Sequence, residues 1–287
     1  GSAPVVGKIA LETFPSEAIV AIRVVAAALA FYFLQQARGG LSLDRPIHYF
    51  YFAVFSFFGV VVNQYFFFGG LARTTATNTS LLAVMIPVFA FIVSALIGNE
   101  KASRQKILGI ALAGAGVVYL IDPARASFSS ATTLGDIMII LNSLSYAVYL
   151  AFSKKLIAHY GALKSIAWIF LFGCVVYVPV GFASLQSVVL AEVSRNAWLA
   201  VAAIVIFPTI LAYYFNTWSL ARVEPSVVAV YVYLQPLIGT ALAILLLGEP
   251  WKPRIFLAML LIFAGVFLVT RRGNASNAAA EVHLTAN

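Results

Sequence analysis

Apolar runs of about 20 residues, separated by short polar links, recur along almost the whole chain. At ~1.5 Å per residue, a helix of that length crosses a bilayer's hydrocarbon core. Nine runs fit: Ser16–Ala37, His48–Leu71, Thr74–Gly98, Arg104–Ile121, Leu134–Ile157, Ala162–Leu185, Asn196–Leu220, Pro225–Leu247 and Pro253–Val269. A tenth, Ser2–Thr13, is too short to span alone. It reads as the latter part of a helix whose start is missing, with a re-entrant segment as the alternative. In lipid the backbone must satisfy its own polar groups, which favours helices. A transmembrane barrel would show short alternating segments instead. The expected fold class is therefore all-α: a polytopic membrane protein with ten transmembrane helices.

Composition agrees. Hydrophobic residues make up 62% of the chain and charged residues 10%, and the mean hydropathy is +0.98. A soluble domain carries about 25% charged residues. The net charge of +8 does not point to nucleic acid, because the basic residues sit in links between apolar runs. There they suit lipid headgroups and set topology. Cys174 is the only cysteine, so no internal disulfide forms. The sequence has no phosphate-binding G-x-x-x-x-G-K-[ST] loop, and its three histidines, His48, His159 and His283, are scattered. No metal-ligand cluster, no Ser/His/Asp set and no cofactor motif is visible. An enzyme is not expected.

The chain also repeats itself. Residues 57–121 align without a gap on residues 206–270, at a constant offset of 149, with fourteen of 65 pairs identical. The anchors are Tyr65/Tyr214, Leu71-Ala72-Arg73/Leu220-Ala221-Arg222, Pro87/Pro236, Glu100/Glu249 and Ala115-Gly116-Val117/Ala264-Gly265-Val266. Two copies of one helical unit are the common plan of secondary transporters. The expected units are 1–122 (helices one to five) and 133–272 (helices six to ten), with 273–287 a small, polar, disordered tail. With the N-terminus in the cytoplasm, eleven basic residues fall in cytoplasmic links and five in outer ones. That bias predicts both termini inside. Five is an odd number of helices, so the second copy runs the opposite way, an inverted-topology repeat.

Polar and aromatic residues within the runs are the candidate substrate-binding set. Asn63, Gln64 and Tyr65 lie in the third run and Asn78 in the fourth. Asn142, Tyr146 and Tyr149 form an i, i+4, i+7 stripe in the sixth, where they act as interhelical glue or as a binding wall. Trp168 lies in the seventh. Tyr213, Tyr214 and Asn216 lie in the eighth, and Tyr231 and Gln235 form an i, i+4 pair in the ninth. Aromatic rings beside amides suit a small amphipathic ligand. Lys8 and Arg23 are charges within the membrane. Each must face a cavity or partner, or snorkel to an interface. Arg23 either binds a carboxylate or locks the bundle. Pro87 and Pro236 free a backbone carbonyl one turn back and are candidate hinges. Tyr49, Tyr51 and Tyr177 read as interface residues and Phe31 as lipid-facing. The small residues Gly109, Ala113, Gly116 and Gly265 read as close helix contacts. Glu12, Glu17 and Asp136 are the acids able to titrate near the outer face.

Five helices plus five, Ala21-Ile22-Arg23 in the second, Pro87 and Pro236 in the fourth and ninth, and the Gly248-Glu249 turn before the last form a set. With these features the chain resembles the EamA family of the drug/metabolite transporter superfamily. The opening Gly1–Lys8 is similar to the latter half of that family's first helix, without its usual preceding Trp. The aromatic interior is similar to that of aromatic amino acid exporters of the YddG type. The resemblance implies an inner-membrane exporter of small metabolites, above all amino acids with aromatic or apolar side chains, working by alternating access. Its partners would be the small-molecule substrate and the lipid bilayer, with a monomer compatible with this plan. The alternatives are a sugar-phosphate or nucleotide-sugar transporter of the same superfamily, which needs more cations in its cavity, and an intramembrane enzyme, which needs a catalytic cluster.

Overall fold

The structure, a computed structural model, describes residues 2–98, 103–121, 130–189, 193–222, 234–250 and 253–270. Within its helices, the side chains at 117, 120–121, 234–237 and 269–270 lie outside that description. The described residues contain helices and no strand. In chain order the helices are α1 (Ala3–Leu11), α2 (Ser16–Gln36), α3 (Pro46–Arg73), α4 (Ala76–Leu96), α5 (Arg104–Ile121), α6 (Ala131–Tyr160), α7 (Ala162–Leu185), α8 (Arg195–Leu220), α9 (Leu234–Leu247) and α10 (Pro253–Thr270). Six of them, α2, α3, α4, α6, α7 and α8, are long and apolar enough to cross a membrane.

Local chemistry sets the helix ends. Pro46 opens α3, where its missing N–H costs nothing. Thr75, Ser130 and Ser194 cap α4, α6 and α8 by accepting from the N–H of Asn78, Thr133 and Ala197. The Ser130 cap starts α6 earlier than the apolar run itself does. Gly161, at φ +80°, is the single residue between α6 and α7, a conformation that disfavours other side chains.

Two helices carry an irregularity that hydrophobicity alone does not reveal. In α3 the stretch Phe57–Val62 is π-helical, and in α8 so is Val205–Leu211. Under the 149-residue offset the first stretch falls on residues 206–211, all but the first residue of the second. In α4 the α-helix is interrupted between Leu82 and Met85. Ala83, four residues before Pro87, has no Pro87 N–H to accept from, and its carbonyl takes the Ile86 N–H instead, at 3.1 Å.

The most extensive helix pairings are α5 with α10 and α2 with α7, followed by α3 with α6. The α5–α10 crossing is made by small residues. A Cβ on Gly116 would lie 2.8 Å from Ile262, and one on Gly265 would lie 2.4 Å from the Ala113 nitrogen. The contacts are reciprocal under the same offset, since Gly116 corresponds to Gly265 and Ala113 to Ile262. A main core joins α2, α3, α6, α7 and α8 around Phe31, Phe52, Phe68 and Phe170. A second joins α4, α5, α6 and α10. Outward-facing apolar residues such as Val175, Phe182 and Leu245 are 73%, 68% and 77% exposed, as lipid-facing side chains are.

Two side chains differ from expectation. Phe31 is buried rather than lipid-facing, with its ring 5.7 Å from that of Phe170, because α2 turns this face toward α7. Tyr177 is also buried and donates to the Val61 carbonyl at 2.8 Å, so it is an internal strut and not an interface residue. Residues 273–287, Tyr231, and most of the link from 122 to 133 lie outside the described residues.

Candidate functional site

A cavity of about 340 Å³ lies in the middle of the bundle. Its walls come from Ser2 and Ala3 at the start of α1, α2 (Arg23), α3 (Asn63, Gln64, Phe67), α4 (Ala83, Ile86), α6 (Asn142, Tyr146) and α8 (Phe207, Pro208, Ala212, Tyr213, Asn216). This volume is at the small end of ligand pockets, which run to about 300–1,000 Å³.

Arg23 anchors the site and is only 5% exposed. Its Nε donates to Thr209 Oγ1 at 2.7 Å and its Nη1 to Gln64 Oε1 at 2.7 Å. The guanidinium carbon lies 4.9 Å from the centre of the Phe68 ring. These partners are all neutral, and among the described residues no carboxylate pairs with Arg23 and Nη2 has no acceptor. A buried cation held this way carries a desolvation penalty that an anionic ligand would offset.

The rest of the wall is a connected amide and phenol network. Gln64 Nε2 donates to Asn63 Oδ1 at 3.0 Å and to the Tyr213 hydroxyl. Gln64 and Tyr213 are themselves 149 residues apart, so two positions matched by the sequence offset meet at the cavity. Asn142 Nδ2 donates to the Asn63 carbonyl at 2.8 Å, and Asn63 Nδ2 returns to the Asn142 carbonyl at 3.3 Å. The Tyr146 ring lies 6.3 Å from Tyr213, edge to face, and 5.5 Å from Tyr149.

The π-helical stretches explain how this polarity is tolerated. A π turn lengthens the i→i−4 ladder and frees carbonyls. In α3, the Phe58, Gly59 and Val61 carbonyls accept from Ser145, Tyr213 and Tyr177, on three different helices. In α8, Pro208 cannot bond back to Ile204, whose carbonyl accepts from Thr209 Oγ1 at 2.7 Å. Thr209 is thereby oriented to accept from Arg23. Pro208 and Thr209 were not among the sequence candidates, although a Pro-Thr pair inside an apolar run is a visible signal.

The sequence candidates thus separate. Arg23, Asn63, Gln64, Asn142, Tyr146, Tyr213 and Asn216 line one cavity. Tyr149 lies behind Tyr146 with its ring against Gly59, leaving 2.8 Å for a Cβ there. Asn78 donates to both oxygens of Asp136 at 3.2 Å, and Thr74 donates to the same carboxylate. Asp136 is 3% exposed and ties α6 to the α3–α4 turn. Trp168 donates to the Leu41 carbonyl at 2.8 Å and meets Tyr49 edge-on, so it holds the α2–α3 link. Tyr65 is 55% exposed, and Tyr214 faces a separate groove between α2, α7 and α8. Lys8 is half-buried on α1 within electrostatic reach of Glu249. Glu249 accepts from the Ala76 and Thr77 amides at 2.8 and 3.2 Å, capping α4. Pro87 is buried beside the α4 interruption. Tyr231 and the side chains of Gln235 and Pro236 lie outside the described residues. Among the described residues no cluster of metal-ligating side chains occurs.

Comparison with known proteins places these features. The model of the EamA-like transporter family matches residues 1–121 and again 133–271. An uncharacterized transporter of Archaeoglobus fulgidus is 30% identical over 240 residues, 81% of this chain and 80% of that protein. The uncharacterized transporter YetK of Bacillus subtilis is 24% identical over 93% of this chain and 82% of its own length. A probable terminal-alkyne amino-acid exporter of Streptantibioticus cattleyicolor is 25% identical over 71% of this chain and 67% of its own. A solved crystal structure superposes with a TM-score of 0.67 over 94% of both chains at 19% identity, which speaks to the fold alone.

Proposed function

The chain belongs to the EamA-like transporter family and is an integral membrane transporter of the drug/metabolite superfamily; from that premise we propose that it exports amino acids with aromatic or apolar side chains. Its route is the central cavity, and it works by alternating access in a bacterial inner membrane, with both termini cytoplasmic. The ten described helices are read as ten spans in two inverted five-helix units, 1–122 and 133–272. The reciprocal Gly116–Ile262 and Gly265–Ala113 contacts, the meeting of Gln64 with Tyr213, and the matched π-helical stretches support that reading.

The observation that carries the substrate class is Arg23, a buried cation with neutral partners on the cavity wall. A substrate carboxylate would supply the missing anion in a charge-assisted, two-pronged contact. Tyr146, Tyr213, Phe67 and Phe207 would surround the side chain, and Asn142 and Asn216 would accept from the amino group. The wall holds one cation among its described residues, which suits a monocarboxylate better than the dianion of a sugar phosphate. The amino-acid exporter among the relatives agrees in substrate class.

A counterflow screen of the twenty amino acids in proteoliposomes tests this. Phenylalanine, tyrosine, tryptophan and the larger aliphatic amino acids should drive saturable exchange. Exchange of sugar phosphates without any of these would refute the substrate class.

A further inference from the structure

Where α2, α6 and α8 end, two adjoining depressions share Arg38, Leu163 and Tyr214. The outer one, about 590 Å³, is rimmed by Arg38, Lys164 and Arg222. The inner one, about 210 Å³, is walled by Phe31, Leu34, Leu163, Ile210, Leu211 and Tyr214, with Arg38 as its one charged residue, at the mouth. Neither includes a residue of the central cavity.

The two depressions are stacked along the helix axes. On α2, Leu34 and Phe31 precede Arg38 by one and two turns, roughly 6 and 10 Å deeper. Trp218, 43% exposed, marks the interfacial level on α8. The Arg222 guanidinium carbon lies 3.9 Å from the Trp218 ring, so the cations sit at headgroup depth and the apolar groove below them at acyl depth. The groove opens sideways, since Leu34 and Leu211 on its lips are 49% and 40% exposed.

The cations are largely uncommitted. Arg38 has no side-chain partner among the described residues. Lys164 donates to the Ser42 carbonyl at 3.2 Å and lies 5.9 Å from the centre of the Tyr160 ring, and Arg222, just past the end of α8, donates to the Trp218 carbonyl at 2.8 Å. Among the described acids, Asp44 reaches Lys164 electrostatically but is bound to His159 at 2.7 Å. Three cations over a lipid-open apolar slot match a phosphate joined to an acyl chain, in charge and in depth.

We propose that this groove binds one anionic phospholipid, its phosphate among Arg38, Lys164 and Arg222 and one acyl chain between α2, α7 and α8. The lipid would bridge a helix of the first half to two of the second, at one end of the bundle. The site is independent of which solute the central cavity carries.

Binding to the delipidated chain in detergent, followed by native mass spectrometry and thermal shift, tests it. The probes are dioleoyl phosphatidylglycerol, dioleoyl phosphatidylcholine and glycerol 3-phosphate. Phosphatidylglycerol should bind more tightly than either of the others and raise the melting temperature. Arg38→Gln and Arg222→Gln should each weaken it about five-fold, and together roughly 30-fold. Arg195→Gln, the same charge change at the other end of α8, should leave it unchanged. Equal binding of phosphatidylcholine overturns the proposal, as does an equal loss in Arg195→Gln. Glycerol 3-phosphate binding as tightly as the lipid would make this a site for a small phosphorylated solute and overturn it as well.

Discussion

Replacing Arg23 by glutamine separates a binding role from a purely structural one. The variant loses the charge-assisted bonds to Thr209 and Gln64, each 2.7 Å long. Such bonds are worth about 1.5–3 kcal/mol each. It also removes a buried cation, whose effective desolvation penalty is several kcal/mol. The two effects are of similar size and opposite sign, so the unliganded variant should melt close to the wild type. Binding has no such compensation. Removing one member of a desolvated, hydrogen-bonded charge pair costs about 2–5 kcal/mol, roughly 30-fold to several thousand-fold in affinity. Titration of phenylalanine against the purified chain in nanodiscs, with melting measured on the same samples, reads both. A sharp fall in melting temperature and yield would mean that Arg23 locks the bundle. Stable protein with unchanged phenylalanine affinity would mean that the carboxylate lies elsewhere.

Other outcomes follow from the same geometry. Tyr146→Ala should weaken substrate binding several-fold, since an aromatic partner is worth about 0.5–1.5 kcal/mol, whereas Phe33→Ala, at a position 65% exposed, should leave it unchanged in the same titration. Gly265→Ala places a Cβ against the Ala113 and Gly109 backbone and should lower detergent stability by about 1–3 kcal/mol. Gly114→Ala, with no atom within 4 Å of the added Cβ, should be near-neutral in the same melting assay. Outside the spans, the hydrogen bond from His159 holds the Asp44 carboxyl below its ordinary value of 3.8. A depressed carboxylate stabilises fully above its unfolded pKa and loses that contribution as pH falls through the folded one. Proteolysis of the link at residues 37–45 should therefore increase as pH drops below about 4, and Asp44→Asn should remove that dependence.

Much of this was legible from residue types, for physical reasons. Bilayer thickness dictates run length, so the helices stood out; the described starts of α3, α4, α6 and α8 differ from those of the apolar runs by one to three residues, with Pro46, Thr75, Ser130 and Ser194 setting them. Polar residues in an apolar run must face one another, which brought Asn63, Gln64 and Asn142 into view. The 149-residue sequence offset is informative beside hydrophobicity. Gln64 and Tyr213 are equivalent and meet, while their neighbours Tyr65 and Tyr214 are equivalent and both turn away from the cavity. Adjacent residues on a helix differ in direction by about 100°, and composition cannot choose between them. The π-helical stretch in α3 was not visible because its cause is tertiary: the carbonyls it frees are satisfied by Ser145, Tyr177 and Tyr213 on other helices, whereas in α8 Pro208 marks the stretch in the sequence. Asn78 and Trp168 have the chemistry of binding residues, yet their partners, Asp136 and the Leu41 carbonyl, are set by how the links pack.

In the proposed mechanism one cavity is reached from each side of the membrane in turn and is filled by the substrate. Ala212 lines that cavity, and Ala212→Cys in a Cys174→Ala background places a single thiol there. A membrane-impermeant thiosulfonate cation should modify it from either face of oriented vesicles, and a saturating transported amino acid should slow both reactions. Modification from one face only, or rates that no transported amino acid changes, would contradict it.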